Sequence, residues 1–370
     1  MKTIVINATA ARTSGALTIL KDFMLFVYSQ KNEKFIFHLL TTTKGTFYSS
    51  ENILIHEIPV QSWSKRLLWD RCGFQNWCIN NKIIPDVVIS FQNTCPRLTG
   101  KYRNVKLIVY YHQPLPLVKY QWKWLRKDER KLFLYANFYG LFVNRWNKTA
   151  DYVVQLPYIK QLFCNKFKNI NQDRVHVIRP NLPKIDINEV SKKEIDYTKK
   201  IFLYPAIPVR YKNHKVIIKA VELLINENKG IADKFEIIFT ISKDNIIADE
   251  VRKRNLDSYI KCIGGIPYEE LLTYYKRCDG LLFPSEIETF GLPLIEAAIF
   301  GKPIVASNLP FAKEVLKNYQ GCLWINPQKE EEWKDKILDL VMNVKSYPPL
   351  VVNNENTWKK FFDIINKTKI

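Results

Sequence analysis

The chain has 370 residues, 47% hydrophobic and 25% charged, which excludes a disordered or fibrous polymer and leaves room for two domains with full cores. Lys and Arg number 56 against 36 Asp and Glu, a net charge of +20, so a polyanion or an anionic membrane surface is the expected kind of partner. The seven cysteines are scattered with no C-x-x-C pair, which argues against a disulfide framework or metal site and for a reducing cytosol.

Strand-like and helix-like segments alternate along the chain. The N-terminus reads as a short strand, Thr3–Ile6, without the long apolar core of a signal peptide. The loop Asn7–Leu17 follows it, with Ser14 and Gly15 suited to cap the first helix and Arg12 beside them. Further strands are expected at Phe35–Leu40, Ile53–Ile58, Val87–Phe91, Leu107–Tyr111, Tyr152–Gln155 and Val175–Ile178. His112 ends the fifth of these seven, ahead of Gln113 and Pro114. Lys119–Lys148 carries eight basic residues against Asp128 and Glu129, interleaved with nine aromatics. That mixture suits a lipid–water interface, or a core-packing helix with a solvated basic face. The longest run without a charged residue, Leu132–Asn144, is too short to span a bilayer.

Pro180–Lys200 is polar and aperiodic and reads as an interdomain linker. Beyond it the rhythm resumes with strands at Ile201–Tyr204, Glu236–Ile241, Ile260–Ile263, Gly280–Phe283, Pro303–Ala306 and Cys322–Ile325. His214–Leu224 has helical apolar spacing, and Asn356–Ile365 reads as an amphipathic helix. Alternation of this kind predicts an α/β fold of parallel sheets covered by helices, and strands apolar on both faces agree.

The densest chemistry lies in Phe283–Ala297. Glu288 and Glu296 flank a turn, Thr289–Gly291, and a helix start at Leu292 and Pro293. Pro293 suits a first helical turn and Gly301 the position past the last one. Glu288 is thus expected in a loop and Glu296 on the helix, with the helix mouth between them. Such a mouth binds anions through free N–H groups, Gly291 permits close approach, and the carboxylates accept hydroxyl hydrogen bonds. On residues alone, an ordinary β-turn-α unit with solvated glutamates has the same pattern. Arg210 and Lys212 lie in the loop after the first strand of the second half, at the sheet edge where open α/β folds bind ligands. They read as a diphosphate-neutralising pair or as solvated surface.

Ser285 through Glu296, continued by Gly301-Lys302-Pro303, resembles the donor-site motif of the family 4 retaining glycosyltransferases. The resemblance implies the GT-B fold: two Rossmann-like βα domains facing each other across a cleft, with a C-terminal helix crossing back to the N-terminal domain. On that reading residues 1–185 bind acceptor, 186–350 bind a nucleotide sugar, and 351–370 return to the first domain through Trp358, Phe361 and Phe362. The resemblance assigns Glu296 to the ribose hydroxyls and Glu288 to the transferred sugar. It assigns the N–H groups of Phe290, Gly291 and Leu292 to diphosphate or sugar oxygens. Lys212 and Arg210 stabilise the departing phosphate, though Pro208 and Val209 crowd the place where an Arg more often lies. Gly264 resembles the glycine at the nucleobase edge. His112 lies by the reacting sugar, and the loop of Arg12, Ser14 and Gly15 faces the acceptor.

Absences narrow the choice. No G-x-G-x-x-G, no P-loop and no Asp-x-Asp occurs, so neither a dinucleotide cofactor nor a metal clasp is expected. No nucleic-acid-binding motif accompanies the basic charge. Gln92–Thr94 and His112–Pro116 resemble bacterial O-antigen and capsule enzymes. That implies a glycan or polyprenyl-diphosphate-linked oligosaccharide acceptor and a peripheral place on the cytoplasmic face of the inner membrane, in lipopolysaccharide or capsule synthesis. A nucleotide-sugar epimerase on the same fold and a basic membrane-binding protein without activity remain as alternatives.

Overall fold

The computed structural model describes residues 1–12, 14–30, 34–60, 62–182, 185–190, 198–231, 233–343, 345–352 and 356–366, with the side chains of residues 14, 127, 128 and 229 left out. The chain divides into two units, Met1–Asn181 with Glu355–Ile370, and Leu182–Asn354.

The first unit holds strands β1 (Lys2–Asn7), β2 (Phe35–Thr41), β3 (Ile53–Glu57), β4 (Val87–Ser90), β5 (Lys106–Tyr110), β6 (Asp151–Val154) and β7 (Val175–Val177). They form one parallel sheet in the order β3-β2-β1-β4-β5-β6-β7. Strands β4 and β5 are buried almost throughout, as a sheet covered on both faces requires. The order reverses between β1 and β4, and ligand sites in such sheets open beyond the strand ends at that reversal.

The helix Trp358–Asn366 belongs to this unit. Trp358, Phe361 and Ile365 are wholly or almost wholly buried and join Phe23, Phe37, Phe91 and Tyr110 in one core cluster. Trp358 meets Phe23 edge-on at 4.9 Å between centroids, and its indole N–H donates to Asp22 at 2.6 Å. Asn181 accepts from the Thr357 backbone N–H at 2.8 Å and its hydroxyl at 2.9 Å, which fixes the start of the helix. Burying each such aromatic contributes about 2–3 kcal/mol.

The second unit holds β8 (Lys200–Tyr204), β9 (Phe235–Phe239), β10 (Ile260–Cys262), β11 (Gly280–Phe283), β12 (Ile304–Ser307) and β13 (Cys322–Ile325). These are parallel in the order β10-β9-β8-β11-β12-β13, with the reversal between β8 and β11. All the strands expected from sequence are present, with ends displaced by one or two residues. The helix His214–Glu227 packs Val216, Ile217, Ala220, Val221 and Leu224 inward, the face its spacing predicts.

Two expectations are modified. The basic aromatic run is helical only over Lys127–Phe138, followed by a tighter turn at Tyr139–Phe142. The expected linker lies partly outside the described residues, at 183–184 and 191–197. Its middle is tied down: Lys276 Nζ donates to the carbonyls of Ile187 at 2.9 Å and Val190 at 3.0 Å, and Val190 is buried.

Candidate active site

In the second unit, the loops leaving β8 and β11 converge at the reversal of strand order. Chain direction turns sharply in both. Asn213 is left-handed at φ 54° and begins the helix His214–Glu227, while Gly291 is left-handed at φ 87° and begins the helix Leu292–Ile299. A side chain at Gly291 would be strained by that φ and would press on Leu294. Pro293 occupies the first turn, and Gly301, at φ 65°, follows the last, where a Cβ would run into the Tyr347 carbonyl.

Two contacts lock the loops together, and a third braces the loop after β8 on its own strand. The Glu286 N–H donates to the Tyr211 carbonyl at 2.8 Å. The Tyr204 hydroxyl, at the end of β8, donates to the Lys212 carbonyl. The Lys212 ammonium donates to Glu288 Oε1 in an ion pair whose two side chains are each 14% exposed. Glu288 thus stands in the loop, beside a cation from the other loop. Arg210 is exposed on the same turn as Lys212.

Glu296 lies on the helix and is 5% exposed. It is not a bare acceptor, because Tyr275 donates to its Oε2 at 2.8 Å. Burial raises its pKa, and hydrogen bonds from Tyr275 and Tyr268 pull the other way. Neither tyrosine was singled out from sequence. Their spacing on the helix Tyr268–Arg277 gives only an amphipathic pattern. Phe290 is buried, Gly291 is buried, and Leu292 opens the helix, whose first N–H groups have no acceptor within it. Gly264 is left-handed at φ 88°, with open space where its side chain would be, just past β10. Among the described residues no group of three or more His, Cys, Asp or Glu is placed to hold a metal.

The first unit carries the other predicted residues beyond the ends of β1 and β5. The backbone N–H of His112 donates to Asn93 Oδ1 at 2.6 Å, and its Nε2 lies 3.5 Å from Asn93 Nδ2. Burial lowers the imidazole pKa to about 4, so the ring is neutral at neutral pH and acts as a hydrogen-bonding group. Arg12 is partly buried. Ser14 and Gly15 form the first turn of the helix Ser14–Ser29 rather than preceding it. Residue 13 and the Ser14 side chain lie outside the described residues, and the expected cap falls with them.

A buried polar network surrounds His112. Gln92 Nε2 donates to Asn7 Oδ1 and to Thr9 Oγ1, both at 2.6 Å. Tyr139 donates to the Gln92 carbonyl at 2.6 Å, and Trp69 to Asn7 Oδ1 at 3.1 Å. Thr94 donates to Asp70 Oδ2 at 2.5 Å, and burial pushes the Asp70 carboxyl up to about 6. In the sequence, Gln92-Asn93-Thr94 at the end of an apolar strand was the visible trace of this network. Asp70 and Tyr139 left none.

Two such units define the class: this is the GT-B fold of glycosyltransferases. Residues 186–355 match the family of group 1 glycosyl transferases. The chain is a glycosyltransferase, of the group 1 type in its second unit, and it resembles the O-antigen enzymes. The O-antigen chain mannosyltransferase RfbU of Salmonella typhimurium is 24% identical over 269 residues, 70% of each chain. Among solved structures, a glycosyltransferase of Rickettsia africae aligns over 100% of this chain and 99% of its own, with TM-score 0.65 and 16% identity. Anabaena HepE, solved with UDP and glucose, aligns over 100% of both chains, with TM-score 0.65 and 12% identity.

Proposed function

We propose that the chain transfers a sugar from a nucleoside diphosphate sugar to a hydroxyl of a lipid-linked glycan in bacterial surface polysaccharide synthesis, with retention at the anomeric carbon. The observation that carries this reading is the Lys212–Glu288 pair at the mouth of the helix Leu292–Ile299. It sets a cation, a carboxylate and free N–H groups around the place where a diphosphate would seat.

In this reading Glu296, oriented by Tyr275, accepts the ribose hydroxyls. Glu288 spends one oxygen on Lys212 and offers the other to a sugar hydroxyl. The N–H groups of Phe290, Gly291 and Leu292 face the anion. Gly264 gives close approach to the base. As the anomeric C–O bond to the diphosphate breaks, Lys212 and Arg210 stabilise the charge left on phosphate. They do the work that a divalent ion would otherwise do, so no metal cofactor is assigned. The acceptor hydroxyl bonds to the anomeric carbon from the side the phosphate leaves, and its proton passes to a phosphate oxygen. On the first unit, neutral His112 offers a hydrogen bond to a sugar hydroxyl, and Arg12 serves the acceptor side.

RfbU builds O-antigen chains by its name, and the likeness supports a lipid-linked acceptor at the cytoplasmic face of the inner membrane. Among the described residues no helix is long and apolar enough to cross a membrane. A surface contact is supported instead by Leu125, Trp124 and Phe138, exposed beside Arg126, Arg130 and Lys131.

The test is a screen of UDP, GDP and dTDP sugars, read as nucleoside diphosphate release with and without membrane glycolipid. Acceptor-dependent release unaffected by EDTA is the expected result. Conversion of the donor without any acceptor requirement would point to an epimerase and overturn the assignment.

A further inference from the structure

Arg66 sits in the first unit on the short helix Trp63–Leu68, just before a wide helical turn at Trp69–Gly73 that carries Asp70. Its Nη2 donates to the Tyr139 hydroxyl at 3.3 Å. Its Nε–H is buried and has no acceptor. Among the described residues no carboxylate forms an ion pair with it. Its hydroxyl neighbours are Tyr139 and Tyr135. Burial pushes the Tyr139 hydroxyl up to about 12, so that tyrosine stays neutral and supplies no counter-charge. Asp70 influences Arg66 only through space, and one of its oxygens is already engaged by Thr94.

Asp70 offsets the guanidinium charge from a distance, but the buried Nε–H stays costly unless an acceptor reaches it. Its surroundings say where that acceptor comes from. Tyr139 bonds the Gln92 carbonyl, the next residue Asn93 bonds His112, and all of them lie beyond the ends of β4 and β5. That is the edge at which open parallel sheets take ligands. The forked N–H groups of Arg match the two oxygens of a phosphate or carboxylate.

We infer that Arg66, framed by Tyr139, is an oxyanion subsite for the acceptor, gripping a phosphate or carboxylate carried close to the reacting hydroxyl. The inference rests on the reading of the first unit as the acceptor side. It explains why a partly buried cation stands near His112 with an N–H unspent. A plain strut from helix to Tyr139 would leave that N–H without purpose.

The test uses the full chain labelled with 15N-arginine. The Nε–H resonance missing from Arg66→Lys belongs to Arg66. Inorganic phosphate, glucuronate and neutral glucose are then titrated in separate arms. A saturable shift of that resonance with phosphate supports a phosphate on the acceptor, and with glucuronate an acidic sugar. A resonance that follows neither anion, or drifts with both without saturating, overturns the subsite. In transfer assays Arg66→Lys and Arg66→Gln are expected to raise the acceptor KM by about tenfold to a hundredfold, with donor KM unchanged. Equal rises in both KM values with a lower Tm would assign Arg66 to a structural strut. Saturable binding without any transfer activity would leave the subsite standing and remove the transferase reading alone.

Discussion

Lys212 and Glu288 join the loop after β8 to the loop after β11 through one ion pair, at the reversal of strand order in the second unit. Each partner holds the other in position, and neither is deeply enough buried to be inert. Removing one strands the other. Lys212→Met and Glu288→Gln are therefore each expected to lower stability more than half as much as the double variant, with a coupling of about 0.5–3 kcal/mol in a double-mutant cycle read by urea unfolding. Transfer should fall by about a hundredfold to a thousandfold for Lys212→Met if it meets the leaving phosphate. A folded Glu288→Ala enzyme with full activity would remove Glu288 from the site.

Glu296 and Tyr275 make a claim about the ribose. If Glu296 accepts ribose hydroxyls, the wild type should bind a nucleoside diphosphate about tenfold more tightly than its 2′,3′-dideoxy analogue. Glu296→Gln should lose most of that preference, and Tyr275→Phe part of it. Calorimetry on the four combinations decides the matter. Equal discrimination by wild type and Glu296→Gln would place the ribose elsewhere.

Asp70 sets a pH dependence. Burial lifts its carboxyl from the ordinary 3.8 to about 6, against the Thr94 hydrogen bond and the Arg66 charge. The folded state holds this proton more tightly than the unfolded chain. Its contribution thus favours folding below the unfolded value and is lost as pH rises through about 6. Thermal unfolding of wild type and Asp70→Asn should show the difference moving in favour of the variant across that window. A difference that stays flat would mean the carboxyl titrates alike in both states.

The exposed apolar residues of the basic segment predict a surface preference. Leu125 is 89% exposed and Leu141 59% exposed. In vesicle flotation the chain should bind anionic lipid and not neutral lipid, and lose binding as salt rises. Replacing Arg130 and Lys131 by Gln should weaken it by about 1 kcal/mol for each charge. Equal flotation with neutral vesicles would leave the charge without this role.

The fold was largely legible in the sequence because parallel strands such as Val87–Ser90 are buried on both faces and read as short apolar runs between amphipathic helices. The helix mouth was legible too, since Gly291 and Pro293 each have a backbone requirement that spacing reveals. What stayed hidden depends on partners distant in the chain. Lys212 finds Glu288 across 76 positions, and Thr94 finds Asp70 across 24, and no local pattern announces either. In the sequence nothing separates Arg66 from the chain's other basic residues. Only the tertiary packing that buries its Nε–H sets it apart.

The helix Trp358–Asn366 fills a gap among Phe23, Phe37 and Phe91, yet it leaves the ribosome after every residue of the second unit. Nascent domains ordinarily mature in the order of synthesis. Here that order is inverted: the β8–β13 sheet has its whole sequence available while the earlier sheet still waits for its missing aromatic plug. A stalled or prematurely stopped chain would thus display a finished second unit and an open, sticky first one, a substrate for chaperones and proteases.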